Sequence, residues 1–284
     1  MGPADHLQHN VNHLSSGTAI HHWLCPGRPI ATVLFQHGFV DYAERWVKDY
    51  PFFLEDLQKR NIDVWAMDFH GHGRSPGKRS VCHIGKAVQD HIELRGRLTG
   101  PNQPPLYLYG HSLGGLVSAC SASRNASGVA GVVLEAPALA DPLTPCVRRF
   151  ASFVAATVPS WQIPGPAPDL DGLSSNKEWI QRWVADETVF HGRISWLLGA
   201  TALRESLELW NCVGQWSLPT LLLHGDKDTY TTHKQSQKFV ETIASVDKEF
   251  YSVKDGRHDM KSDRDAVGTW VHVIDWIDGR LAEK

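Results

Sequence analysis

Charge of one sign is scarce in this 284-residue chain: 28 Lys+Arg stand against 31 Asp+Glu, a formal net charge of −3, and no window strings together a run of like charges. Without a basic face to neutralise phosphates, no nucleic-acid partner is expected. Long apolar runs are missing too. The longest apolar-looking stretch, residues 150–158, falls far short of the roughly 20 residues a membrane-spanning helix needs. Residues 1–14 show no basic segment followed by an apolar one, so a secretory signal is not expected and a cytoplasmic location is. Five cysteines (Cys25, Cys82, Cys120, Cys146, Cys212) are odd in number and scattered, with no C-x-x-C pair, and read as reduced thiols. Without a secretory signal, the sequon at Asn125-Ala126-Ser127 is a chance match. There is no internal repeat, and no low-complexity tract beyond the proline-rich stretch 159–168.

What is present suits a large buried core, with 42% hydrophobic and 21% charged residues. Short β-rich runs near 30–36, 62–68, 106–109, 131–135, 220–224 and 249–253 alternate with helix-period stretches. Most are continuously apolar, as strands buried on both faces must be, so the fold class is α/β with a mostly parallel central sheet flanked by helices. Trp46, Tyr50, Phe53, Leu54 and Leu57 make one helical face; Ile84, Val88 and Ile92 make another. Val267, Trp270, Val271, Ile274, Ile277 and Leu281 make a third, on a final helix docked against the sheet.

The alternation breaks in 138–217, where Pro142, Pro145, Pro159, Pro164, Pro166 and Pro168 fall, with two or three helices and no convincing strand. Six of the eleven tryptophans (Trp161, Trp179, Trp183, Trp196, Trp210, Trp216) crowd into it, which marks it as a helical cap over the sheet's carboxyl edge, where ligands bind in open α/β sheets. The expected organisation is core (1–137), cap (138–217), core (218–284).

One motif carries the chemistry. Gly110-His111-Ser112-Leu113-Gly114-Gly115 is a G-x-S-x-G turn between a strand and a helix-compatible stretch. The small residues let the chain turn tightly enough to leave Ser112 strained, exposed and at a helix N-terminus that favours developing negative charge. A serine hydroxyl needs a histidine to take its proton and a carboxylate to orient that histidine, in the chain order Ser, Asp/Glu, His. Asp228, in the loop after one strand, is the candidate acid, with Asp226 its competitor; His258, in the loop after the next, is the candidate base. His233 follows Asp228 too closely, His272 lies inside the last helix, and His224 is expected to pack beneath the Gly225 turn. The N–H groups of Leu113 and of Phe39, in the Gln36-His37-Gly38-Phe39 loop, are the expected oxyanion donors, with His37 a buried strand-end residue. Gly71, Gly73 and Gly77 in the segment after Asp68 miss the dinucleotide and Walker A spacings and read as a structural turn. His70 and His72 in that turn lack a third ligand, so no metal and no organic cofactor are implied.

These residues resemble the monoacylglycerol lipase and lysophospholipase-like branch of the α/β-hydrolases, a serine aminopeptidase S33-type family. The likeness runs from about Ile30 to the C-terminus and includes Gln36-His37-Gly38, the Asp68 to Ser75 turn, Gly110 to Gly115, Gly225-x-x-Asp228, His258 and the cap segment Leu173-Ser174-Ser175-Asn176-Lys177. It implies the α/β-hydrolase fold and hydrolysis of small-molecule lipid esters carrying a single acyl chain, most specifically monoacylglycerol. A short-chain carboxylesterase, a thioesterase, a biosynthetic lactone hydrolase and a non-catalytic hydrophobic-ligand receptor are the alternatives. By the same likeness Asp41 and Arg45 are candidates to contact the head group, or else form a surface ion pair at i,i+4, and Trp183 of the cap is a candidate substrate contact. Where animal members carry a second histidine, three residues past the catalytic one, this chain has Lys261, which would suit an anionic head. Val147, Phe150, Val154 and Val158 form a stripe that either rests on a membrane or lipid-droplet surface or packs the cap onto the core.

Overall fold

The computed structural model describes residues 8–141, 143–165 and 169–282; Pro142, Pro166 and Pro168 therefore lie outside the described residues. Among the described residues eight strands form one sheet in the order β1-β2-β4-β3-β5-β6-β7-β8. Its parallel part is β4 (Ile62–Met67), β3 (Ala31–Gln36), β5 (Leu106–His111), β6 (Val129–Glu135), β7 (Thr220–Gly225) and β8 (Lys248–Val253). Strands β3, β5 and β7 are buried at every residue. Alternate side chains feed two cores, so that Leu34, Leu108 and Leu222 lie on one face and Phe35, Tyr109 and Leu223 on the other. Helices α3 (Ile84–Leu98), α4 (Leu113–Arg124) and α9 (His233–Thr242) cover the first face, and α2 (Pro51–Lys59) and α10 (Ala266–Ala282) the second. This is the α/β-hydrolase architecture the sequence pointed to.

Three details differ from the sequence reading. Strands β1 (His9–His13) and β2 (Ala19–Trp23) form an antiparallel hairpin, and β2 continues antiparallel onto β4. The polar β1, His-Asn-Val-Asn-His, carries no apolar run to announce it. The stripe from Trp46 to Leu57 spans two helices, α1 (Ala43–Asp49) and α2, because Pro51 opens α2 and biases Tyr50 out of the helical region. On α10, Val267 and Val271 are exposed while Trp270, Ile274 and Ile277 are buried, so the docked face is narrower than the periodicity suggested.

Between β6 and β7 lie α5 (Pro145–Thr157), α6 (Leu170–Leu173), α7 (Lys177–Ala185) and α8 (Trp196–Cys212). Asn176 caps α7 by accepting from the Trp179 N–H, and Ser195 caps α8 by accepting from that of Leu198. On α5 only Ala155 is buried; Val147 and Phe150 face solvent, so at those positions the stripe does not pack onto the core. Among the described residues no helix is long and apolar enough to cross a membrane.

Candidate active site

Strand β5 ends in the tight turn its glycines allow. Ser112 has φ +54° and ψ −118°, a strained conformation for a residue with a Cβ, and its N–H donates to the Glu135 carbonyl at 2.9 Å. A Cβ at Gly114 would sit against the carbonyl oxygens of Gln36 and His37, far inside van der Waals contact. That position must therefore be glycine for β3 and the start of α4 to approach.

Ser112 Oγ lies 2.9 Å from His258 Nε2, and His258 Nδ1 lies 2.7 Å from Asp228 Oδ2. With a carboxylate at Nδ1 the ring proton sits there, leaving the Nε2 lone pair facing the serine hydroxyl. Asp228 is itself well anchored. Its Oδ1 accepts from the N–H groups of Tyr230 and Thr231 at 2.7 and 3.0 Å, its Oδ2 accepts from Thr231 Oγ1 at 2.7 Å, and His224 Nε2 stands 3.0 Å away. Burial alone would raise its pKa, but His258 and His224 outweigh that and hold the carboxyl well below the usual carboxylate range. Asp226, by contrast, accepts the Asp255 N–H at 2.8 Å on the exposed side. His233 pairs with Ser252 and His272 with Glu249, away from the serine.

The loop after β3 brings Phe39 beside Ser112, and both line one cavity of about 340 Å³. Among the described residues neither the Phe39 nor the Leu113 N–H has a hydrogen-bond acceptor, which leaves both amides available to an oxyanion. His37 is buried as expected, accepting the Phe69 N–H at its Nε2. The Gly71–Gly73 turn is structural: Asp68 accepts the N–H groups of Ala43 and Arg74 there.

Asp41, Arg45 and Trp183 also line the cavity. Arg45 is only 1% exposed, which overturns the surface ion-pair alternative. Its Nη1 is 3.4 Å from Asp41 Oδ1 and its Nε 3.4 Å from Asp49 Oδ2, its guanidinium lies over the Trp179 ring at 4.9 Å, and among the described residues Nη2 has no hydrogen-bond partner. The suggestion that Lys261 reads an anionic head fails. Lys261 is 2% exposed and absent from the cavity wall; its Nζ lies 2.9 Å from each Glu135 carboxylate oxygen and 4.9 Å above the Trp46 ring. Burial opposes its charge, but Asp259 and Glu135 outweigh burial and keep it protonated.

Three residues, Tyr230, Thr231 and Asp259, escaped the sequence reading, as did the role of His224 beside Asp228. Tyr230 stacks on His258 with ring centroids 5.1 Å apart, Thr231 and His224 hold Asp228, and Asp259 lines the cavity while accepting from Tyr50 Oη at 3.1 Å. The histidine loop also leans on the segment between β6 and β7: the N–H groups of His258 and Asp259 donate to the carbonyls of Gly172 and Leu173. No spacing rule links these positions. A triple of metal-ligand type occurs among the described residues only at His9, His21 and Glu44, none of which lines this cavity.

The model of the family of S33 serine aminopeptidases (Hydrolase_4) matches residues 27–265. The chain is 25% identical over 300 residues to rat monoglyceride lipase, covering 99% of this chain and 93% of that protein. It is 27% identical over 230 residues to the monoacylglycerol lipase of Mycolicibacterium smegmatis, covering 79% and 80%. The crystal structure of Paleococcus ferrophilus monoacylglycerol lipase superposes with a TM-score of 0.77 at 25% identity, over 98% of this chain and 99% of that one. With most of its length inside the family match, a strand-turn-helix G-x-S-x-G and the α/β-hydrolase sheet order, the chain belongs to the S33 serine aminopeptidase-type family of α/β-hydrolases.

Proposed function

We propose that the protein is a serine hydrolase of carboxylic esters of single-chain lipids, converting monoacylglycerol to fatty acid and glycerol. The observation that carries this reading is the unbroken Ser112–His258–Asp228 chain opening into a cavity walled by Phe39, Leu173, Trp179, Trp183, Phe190 and Ile194. Ser112 Oγ attacks the acyl carbon and its proton passes to His258 Nε2. The Phe39 and Leu113 N–H groups hold the oxyanion, and the glycerol leaves with the proton from His258. Water, deprotonated by the same nitrogen, then releases the fatty acid from Ser112. Asp228 keeps the imidazole oriented, while Asp41 and Arg45 contact the glycerol hydroxyls at the polar end of the cavity. The relatives named as monoglyceride and monoacylglycerol lipases support the substrate class.

In this reading residues 138–217 form the cap, with Trp183 on its inner side. The outer side of α5 shows Val147, Phe150 and Phe153, the last two 59% and 67% exposed, beside Arg148 and Arg149. Such a face rests on a lipid surface from which the cap collects substrate.

The deciding measurement is kcat/KM for long-chain against short-chain monoacylglycerol, with Ser112→Ala as the blank. Each buried CH₂ contributes up to about 0.8 kcal/mol, so a difference of four or more should separate the two substrates by over tenfold in favour of the longer. Equal rates would point to a short-chain esterase, and no turnover of either to a ligand receptor.

A further inference from the structure

The β1–β2 hairpin and the first turn of α1 bring together three donors that the ester chemistry does not use. His9 Nε2 lies 3.1 Å from His21 Nδ1, and Glu44 Oε1 lies 3.9 Å from His9 Nδ1. One donor atom from each of the three residues falls within 4.8 Å of the others. His21 is fully buried and its far nitrogen, Nε2, is 2.9 Å from Asp68 Oδ2. Asp68 also accepts the N–H groups of Ala43 and Arg74, so its oxygens serve as acceptors and the His21 proton sits on Nε2. Nδ1 of His21 therefore accepts the His9 Nε2–H, and an ion held between the two rings takes the place of that proton. A carboxylate fixing the tautomer from the far side of the ring is the arrangement that orients metal-bound histidines. Trp23 stacks on both rings, at 4.6 Å from His9 and 5.5 Å from His21, and locks their planes.

We propose that His9, His21 and Glu44 bind a divalent transition-metal ion of the zinc type, with water completing the shell. Two imidazoles and one carboxylate are the donor set such ions take, at roughly 2.0–2.1 Å from each donor. The two ring nitrogens already stand at about the separation that a tetrahedral ion imposes; Glu44 comes in by a side-chain rotation. Arg74 now spans both Glu44 oxygens, at 2.6 and 2.9 Å, and can retain one when the ion takes the other. His9 and Glu44 are half-buried, so the ion enters from solvent. The ion would tie the edge hairpin to α1, next to the loop that carries Phe39 and Asp41, and would act on stability rather than on the reaction. Its ligands come from two strands and a helix, so no sequence motif announces them.

The test is isothermal calorimetry of ZnCl₂ against the chelator-stripped full chain, with His9→Gln, Glu44→Gln and His258→Gln beside it. One equivalent should bind, raise the melting temperature of the parent protein, and persist in His258→Gln. Each of His9→Gln and Glu44→Gln should weaken binding by at least about tenfold, the lower bound for losing even a supporting partner of a ligand. Labelling of Ser112 by a fluorophosphonate reports that each variant is folded, except His258→Gln, whose melting curve does so. Should His9→Gln fail to fold, Glu44→Gln carries the comparison alone. No binding, binding undiminished in both ligand variants, or binding lost in His258→Gln overturns the site, the last by assigning the ion to the triad.

Discussion

Ser112 holds a backbone conformation that costs on the order of 1–3 kcal/mol for a residue with a Cβ. Replacing it by glycine should therefore raise stability by about 1 kcal/mol in urea unfolding while abolishing turnover. Ser112→Ala keeps the Cβ, so its stability should match the parent within about 0.5 kcal/mol, and its kcat should fall by about 10⁴ or more. If Gly and Ala variants are equally stable, the turn is relaxed and the strain argument is wrong. A second prediction concerns Lys261. Lys261→Met leaves Glu135 without its counter-charge in a fully buried position and should cost about 3–5 kcal/mol. Adding Glu135→Gln should recover much of that loss, and a single variant that loses less than about 1 kcal/mol would show that the pair is dispensable.

At the scale of elements, α5 is the helix whose packing its own periodicity misdescribes. Val147, Phe150, Val154 and Val158 recur at helical spacing, yet only Ala155 of α5 is buried. Phe150→Ser with Phe153→Ser should reduce co-sedimentation with lipid vesicles severalfold and leave hydrolysis of a dispersed short-chain ester unchanged. Equal vesicle binding by the variant would remove α5 as the contact. The hairpin β1–β2 is the opposite case: its outer strand is polar and edge-placed, and it is held by pairing with β2 rather than by an apolar face of its own. The break at Tyr50 follows directly from Pro51, a local signal present in the sequence and overridden there by the long stripe.

At the scale of the whole molecule, acid should unfold the protein earlier than its net charge suggests. Burial, with His37 nearby, lowers His72 to about 3, and burial, with Arg95 nearby, lowers His91 to about 3. In the unfolded chain both return to about 6.5. Between these values the unfolded state binds more protons, so stability rises with pH from about 3 to about 6.5 and gains nothing further from these groups above it. The melting temperature should fall as pH drops below about 6.5, and His91→Gln should flatten that slope; an unchanged slope would clear His91. Asp228, held ionised by its two histidines, should add no acid limb of its own to kcat/KM.

The parallel sheet and the serine turn were legible because each is a local pattern, and Asp228 and His258 because each lies in a loop after a strand in the chain order the serine turn demands. Apolar runs must be buried on both faces, glycines must flank a tight turn, and a loop follows the end of each strand. The tertiary structure supplies the physical reason to prefer Asp228 to its competitor Asp226: the two carboxylates sit two residues apart and differ in which way the β7 loop turns them. It alone turned Lys261 onto Glu135, buried Arg45 beneath Trp179, and set Tyr230 against His258, because those contacts join residues dozens to more than a hundred positions apart. Periodicity reports that a side chain needs a partner; which distant element supplies it depends on how the layers meet.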